Sequence, residues 1–164
     1  MDDAYMLSLI GAATFMEAFA GRLEGSAIRA HCARAYTLGA TEDLLSKETT
    51  KAWVATVEPD AAPVGFVLLT EPDLPLPGLT GADIELKRIY LFTRFHGNGN
   101  GQRMMDQAIG GARAQGKSRL LLGVYSENPR ALAFYAKNGF VQVGTREFAL
   151  GTIVHHDYIL ARPI

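Results

Sequence analysis

IELKRIYLFTRFHGNGNGQRMMDQAIGGARA, residues 84–114, passes from strand to glycine loop to helix with almost no spacer. Ile84–Phe92 is rich in β-branched and aromatic residues and reads as a strand. Gly97, Gly99 and Gly101 alternate with Asn98 and Asn100 in the loop. Met104, Met105, Ala108, Ile109 and Ala112 then form the apolar stripe of an amphipathic helix. The first turn of a helix offers unpaired N–H groups and the positive end of its dipole, so this order suits an anion, phosphate above all. Glycines let the main chain approach such a ligand and adopt positive φ. A flexible Gly/Asn turn between two core elements is the plain alternative.

Outward from this unit, Gly116 ends the helix and Arg119–Tyr125 reads as a buried central strand, which makes a right-handed parallel crossover. Asn128–Pro129 supplies an N-cap and an N1 proline for a helix closed by Asn138–Gly139. Phe140–Val143 with Arg146–Leu150, and then Ile153–Ala161, read as two closing antiparallel strands. Upstream, Ala52–Val57 and Val64–Leu69 form a hairpin around Glu58–Pro63. The proline-rich segment from Pro72 to Gly81 reads as a loop, either lining an opening or running over the surface. Three helices come first: one capped by Asp2 or Asp3 and running to about Ala20, one from Gly25 or Ser26 to near Gly39, and one opened by Thr41–Glu42–Asp43. The expectation is a single domain over residues 1–164, α+β in class, with a mixed sheet flanked by helices.

Composition narrows the function. A 164-residue chain with 48% hydrophobic residues and formal net charge -1 suggests neither disorder nor a nucleic-acid-binding surface. Cys32 is the only cysteine, which excludes an internal disulfide and fits a cytoplasmic protein. No apolar run is long enough to span a membrane. Cys32 shares an apolar helix face with Ile28 and Tyr36 and reads as a core residue rather than a nucleophile; His31 points elsewhere.

Two pattern matches fail on context. Gly111–Ser118 satisfies GxxxxGK[ST], but a helix precedes it and a strand follows, the reverse of a phosphate-binding loop. The dinucleotide pattern GxGxxG breaks at Met104 or Gln102. His155, His156 and Asp157 alternate faces on a strand and cannot converge on one metal, so no metal is expected. Glu85 shares a strand face with Lys87, as a base of raised pKa or as an ion-pair partner. Tyr135, beside Phe134, can lend a proton to a leaving group or pack as a core aromatic. His96 can contact phosphate or stand solvated in its loop.

The segment ELKRIYLFTRFHGNGNGQRMM, followed by NPRALAFYAKNGF, resembles the GNAT superfamily of N-acetyltransferases, which move an acetyl group from acetyl-CoA to an amine. The likeness covers roughly Ala52 to the C-terminus. Aligned on the family's [Gln/Arg]xxGxG[Gly/Ala] loop, His96 stands where Gln or Arg is usual. The family's first edge strand is missing or displaced, since helical sequence starts almost at Met1. Residues Thr14–Phe19 and the ELKRIYL strand are more narrowly similar to small-molecule and polyamine acetyltransferases.

The resemblance implies acetyl-CoA as co-substrate and direct attack by a small-molecule primary amine in a ternary complex. It implies main-chain contacts from Ile89 and Leu91 to the pantetheine arm, and a pyrophosphate grip by His96, Gly97, Asn98, Gly99, Asn100, Gly101 and Gln102. Asn128 would contact the arm, Tyr135 would protonate the leaving thiolate, and Glu85, through water, would take the amine's proton. The strand from Arg119 would splay from the Ile84 strand to admit the thioester. A homodimer is the assembly common in such families. The competing readings are acetylation of a protein N-terminus or lysine, and a CoA-binding sensor without catalysis.

Overall fold

The computed structural model describes residues 3–150 and 153–164. Helices α1 (Asp3–Phe19), α2 (Gly25–Ala35) and α3 (Leu38–Leu45) precede strands β1 (Lys51–Val57), β2 (Ala62–Thr70) and β3 (Asp83–Leu91). A 3-10 turn, Thr93–Phe95, leads into α4 (Asn100–Ala114), then β4 (Arg119–Tyr125), α5 (Pro129–Lys137), β5 (Val141–Leu150) and β6 (Ile153–Pro163). The sheet runs β1-β2-β3-β4-β6-β5. All neighbours are antiparallel except β3 and β4, as a βαβ crossover through α4 requires. Among the described residues no strand precedes Lys51, so β1 forms one edge of the sheet.

Each face of the sheet has its own core, because alternate residues of a strand point to opposite sides. Leu120 and Leu122 of β4, Ile84 and Leu86 of β3, and Met105, Ala108 and Ala112 of α4 pack together on one face. On the other, Phe66 and Leu68 of β2 meet Leu7, Ile10 and Phe15 of α1, with Ile28 and Tyr36 beside them. The proline-rich loop contributes Leu74 to a third cluster with Leu121 and Ile159. It is thus tied to the sheet rather than being a plain surface excursion.

Helix α3 begins earlier than the sequence reading placed it. Thr37, not Thr41, is the N-cap; its side chain accepts from the Ala40 N–H at 3.1 Å. Thr41 lies inside the helix, donating to the Thr37 carbonyl at 2.9 Å, and Gly39 falls in the first turn rather than at a helix stop. The closing segment Phe140–Leu150 is one continuous strand from Val141, accommodated by a bulge between Gln142 and Gly144. Asp2 and the His155 side chain lie outside the described residues.

Candidate active site

Strands β3 and β4 pair for three residues only, Asp83↔Arg119, Ile84↔Leu120 and Glu85↔Leu121. Arg119 Nε and Nη2 both donate to the buried Asp83 carboxylate, Nη2 at 2.9 Å, and hold that carboxyl below the usual carboxylate range. Beyond this fastened end the strands part. β3 follows β2 as far as Gly65↔Leu91, and β4 follows β6 as far as Tyr125↔Asp157. The result is a fork in the middle of the sheet.

The fork exposes main chain. Phe92 N–H donates to the Val64 carbonyl at 2.9 Å, which turns the even-numbered residues of this stretch toward β2. Ile89 and Leu91 therefore direct their N–H and C=O groups into the fork. The Leu91 carbonyl is already taken, because His96 Nε2 donates to it at 2.7 Å; a carbonyl only accepts, so Nε2 carries the proton. His96 thus pins the glycine loop to the end of β3 instead of reaching outward with that nitrogen.

A groove of about 600 Å³ runs along the fork. Ile89, Leu91, His96, Gly97, Gly99, Gly101, Gln102, Asn128 and Tyr135 all line it. Asn98 is exposed and Asn100 spends its amide on the Phe95 carbonyl at 3.0 Å; neither lines the groove. Gly97 and Gly99 have φ of 97° and 76°, and a Cβ on either would meet nothing within 4 Å, so their bareness serves backbone conformation and an open wall. Gly99 caps α4 with no side-chain hydrogen bond, whereas Thr37 and Asn128 cap α3 and α5 with theirs. The first-turn amides of α4 therefore remain available at the groove. The Gln102 amide bridges to Asn138 at 2.8 Å, joining α4 to the end of α5.

Tyr135 packs between Phe134 and Phe140, each ring centroid 5.6 Å away. Burial, and secondarily the neighbouring Tyr90 phenol, pushes the Tyr135 phenol well above its ordinary value of 10. It remains a neutral donor across the physiological range.

On the opposite face of the sheet a second cavity of about 410 Å³ adjoins the groove, and Arg88, Tyr90, Gly123 and Tyr125 border both. Phe15, Phe19 and His31 roof it, and β3, β4, β5 and β6 supply its floor. Glu85, only 1% exposed, stands on that floor. Its Oε2 accepts from the Asp73 N–H at 2.8 Å and its Oε1 lies 3.2 Å from Lys87 Nζ. The ion-pair reading of Glu85 and Lys87 is thus realised, and it does not remove Glu85 from the cavity wall.

Sequence reasoning missed the other half of this cavity. Asp157 is buried and accepts from Arg146 Nη2 at 3.0 Å and Nε at 3.2 Å. The guanidinium lies flat on Gly123, where any side chain would collide with it. Tyr90 sits within the influence of Arg88, Asp157 and Arg146, and burial raises its phenol to about 12. A faint signal existed, since Asp157 interrupts an apolar alternation continued by Ile159 and Ala161. Its neighbours in space, however, are set by the insertion of β6 between β4 and β5. Cys32 is partly buried beside the α1–α2 core, and burial pushes its thiol up, which opposes a nucleophilic role. Among the described residues no three His, Cys, Asp or Glu side chains gather to hold a metal ion, and no helix is long and apolar enough to cross a membrane.

The sequence model of the acetyltransferase (GNAT) family matches residues 16–140. An uncharacterized N-acetyltransferase of Mycobacterium tuberculosis is 35% identical over 111 residues, spanning 68% of this chain and 67% of its own. Another from Lactobacillus delbrueckii subsp. lactis is 30% identical over 105 residues, 64% of this chain and 61% of its own. Among solved structures, the PaiA N-acetyltransferase of Thermoplasma acidophilum, in complex with coenzyme A, superposes with a TM-score of 0.76 at 20% identity, covering 99% of this chain and 93% of that one. A ribosomal-protein-alanine N-acetyltransferase of Brucella melitensis gives 0.72 at 16% identity, over 100% and 97%. At such identities these two structures speak to the fold.

Proposed function

Because the chain belongs to the GNAT family of acetyltransferases, we propose that it transfers an acetyl group from acetyl-CoA to a primary amine of a small molecule, by direct attack in a ternary complex. One observation carries the choice of acceptor. The groove along the fork meets a second, roofed cavity at Tyr90 and Gly123, a compartment scaled to a small amine rather than to an extended polypeptide. The relative solved with coenzyme A supports the choice of acyl donor.

The residues present fit that donor. The first-turn amides of α4, with the open walls at Gly97 and Gly99, suit its pyrophosphate. The unpaired main chain of Ile89 and the Leu91 N–H suit an amide-bearing arm laid along β3 as an added strand, with Asn128 on the far wall. Acetyl-CoA supplies a thioester already activated toward amines. The Leu91 N–H, aimed into the fork, stabilises negative charge on the thioester oxygen; one such donor contributes on the order of 3 kcal/mol. Tyr135 holds a proton for the departing thiolate. Glu85, ion-paired with Lys87, draws the proton from the attacking ammonium through water, since both its oxygens already accept hydrogen bonds or ion pairs.

The test is acetyl-CoA-dependent thiol release across a panel of small amines, alongside thermal melts with acetyl-CoA. The expected result is a raised melting temperature and amine-dependent release. Tight acetyl-CoA binding with no turnover on any amine would identify a CoA-binding sensor instead, and turnover on peptide N-termini alone would reassign the acceptor.

A further inference from the structure

The second cavity places a cation, Arg88, where, among the described residues, none of the carboxylates of its wall pairs with it. Lys87 is paired with Glu85 at 3.2 Å and Asp73 at 3.7 Å, and Arg146 with Asp157 at 3.0 Å. The cations of the wall, Arg22, Lys87, Arg88 and Arg146, are matched in number by Asp73, Glu85, Glu147 and Asp157, but not in placement. Among the described residues no carboxylate lies within ion-pair distance of Arg88. The guanidinium of Arg88 is half-buried, 4.6 Å from the centroid of the Tyr36 ring. That ring is itself buried and seated against Gly11, where a side chain would displace it. An arginine set on a fixed aromatic platform keeps its in-plane donors free for a planar acid.

The position of Arg88 comes from a local irregularity. Leu68 pairs with Arg88 and Leu69 with Leu86, so Lys87 is an extra residue in β3. A bulge of this kind re-aims the side chains beside it. Ile89 and Leu91 consequently pack with the α4 core, while Tyr90 packs with the α1–α2 core. Arg88 joins the latter through Tyr36, on the face of the sheet opposite the α4 core and at the border of the second cavity and the groove. His31, next to it on the roof, is neutral at physiological pH, its pKa lowered to about 4 by burial and then by Arg88 and Arg34. It supplies no competing charge.

We infer that the acetyl acceptor is an amine bearing an acidic group, a carboxylate or an acid of similar size, which pairs with Arg88 while its amine faces the fork. This rests on the acetyltransferase reading and narrows its substrate class. A polyamine, by contrast, offers Arg88 no acidic partner.

Matched amines decide it: α- and ω-amino acids, the same molecules with the carboxylate capped as an amide, and diamines of equal length. The uncapped acids should be turned over with the highest kcat/KM. Arg88→Gln should raise KM for the acid by roughly 10- to 150-fold, the value of a hydrogen bond to a charged group, with a smaller change in kcat. Acetyl-CoA's effect on the melting temperature should persist, and Arg88→Lys should recover part of the KM. Should Arg88→Gln not fold, Arg88→Lys and the wild-type comparison of acid with amide carry the test. Equal turnover of acids, amides and diamines, or an unmoved KM in a folded Arg88→Gln enzyme, overturns the inference and leaves the acetyltransferase reading intact. Failure of every amine to accelerate thiol release sinks that reading and this inference with it.

Discussion

At Tyr135 a phenol that packs and a phenol that reacts make different demands on one hydroxyl. Packing is satisfied by the ring, which touches Phe134 and Phe140 and would do so equally as phenylalanine. The raised pKa keeps the proton in place, so the hydroxyl is useful as a donor and useless as a base. Tyr135→Phe is therefore expected to leave the melting temperature nearly unchanged and to lower kcat by about 10²-fold, the modest end of acid catalysis because a thiolate is already a competent leaving group. Unchanged turnover across pH would return Tyr135 to the core. His96 shows the limit of residue-level reading. Its place at the head of the loop was legible in the sequence, but the Leu91 carbonyl that captures its Nε2 was not, because that contact depends on how the 3-10 turn folds back on β3.

At the scale of elements, α4 offers a paired test on adjacent glycines. Gly110 is exposed and a Cβ there would meet nothing within 4 Å. Gly110→Ala should stabilise the protein by about 0.5–1 kcal/mol through helix propensity alone. At Gly111 the new methyl would run into the indole of Trp53 on β1. The same propensity gain is then opposed by an overpacking cost of about 1–3 kcal/mol, so Gly111→Ala should lower stability. Urea unfolding of the two variants reads the signs; a shared sign would mean that α4 does not sit on β1 as described. The ends of β4 and α5 were legible because Asn128–Pro129 and Asn138–Gly139 carry their own stop and start chemistry. The start of α3 was not. Gly39 and Thr41 imitate a stop and a cap, and only the hydrogen bond from Ala40 to Thr37 shows which threonine does the capping.

For the molecule as a whole, His31 links global stability to pH. Unfolded, it binds its proton near its ordinary value of 6.5; folded, near 4, since burial and the nearby Arg88 and Arg34 disfavour the charged form. Between those values the unfolded chain takes up a proton that the folded chain refuses. Stability therefore falls as pH drops from about 6.5 toward 4 and is unaffected by this group above that window. His31→Phe, which keeps the stack on Phe15 at 4.3 Å, should lose less melting temperature between pH 7 and pH 5 than the unsubstituted protein. Parallel curves would show that His31 carries no such burden.

The sequence alone determined the strand–loop–helix of residues 84–114, the crossover to Arg119–Tyr125 and the capped helix after it. Periodicity, caps and glycine φ preferences are local, and each is written within a few residues. Only the tertiary structure decided where the sheet opens and what lines the far side of that opening. The fork exists because β3 keeps β2 as its partner to Leu91 while β4 keeps β6 to Tyr125, leaving just three parallel pairs between them. Arg88, Arg146 and Asp157 share one cavity because a bulge turns the first and strand order brings the other two beside Gly123. Strand partnership is a long-range choice among surfaces that all satisfy the same alternation, so no local pattern can announce it.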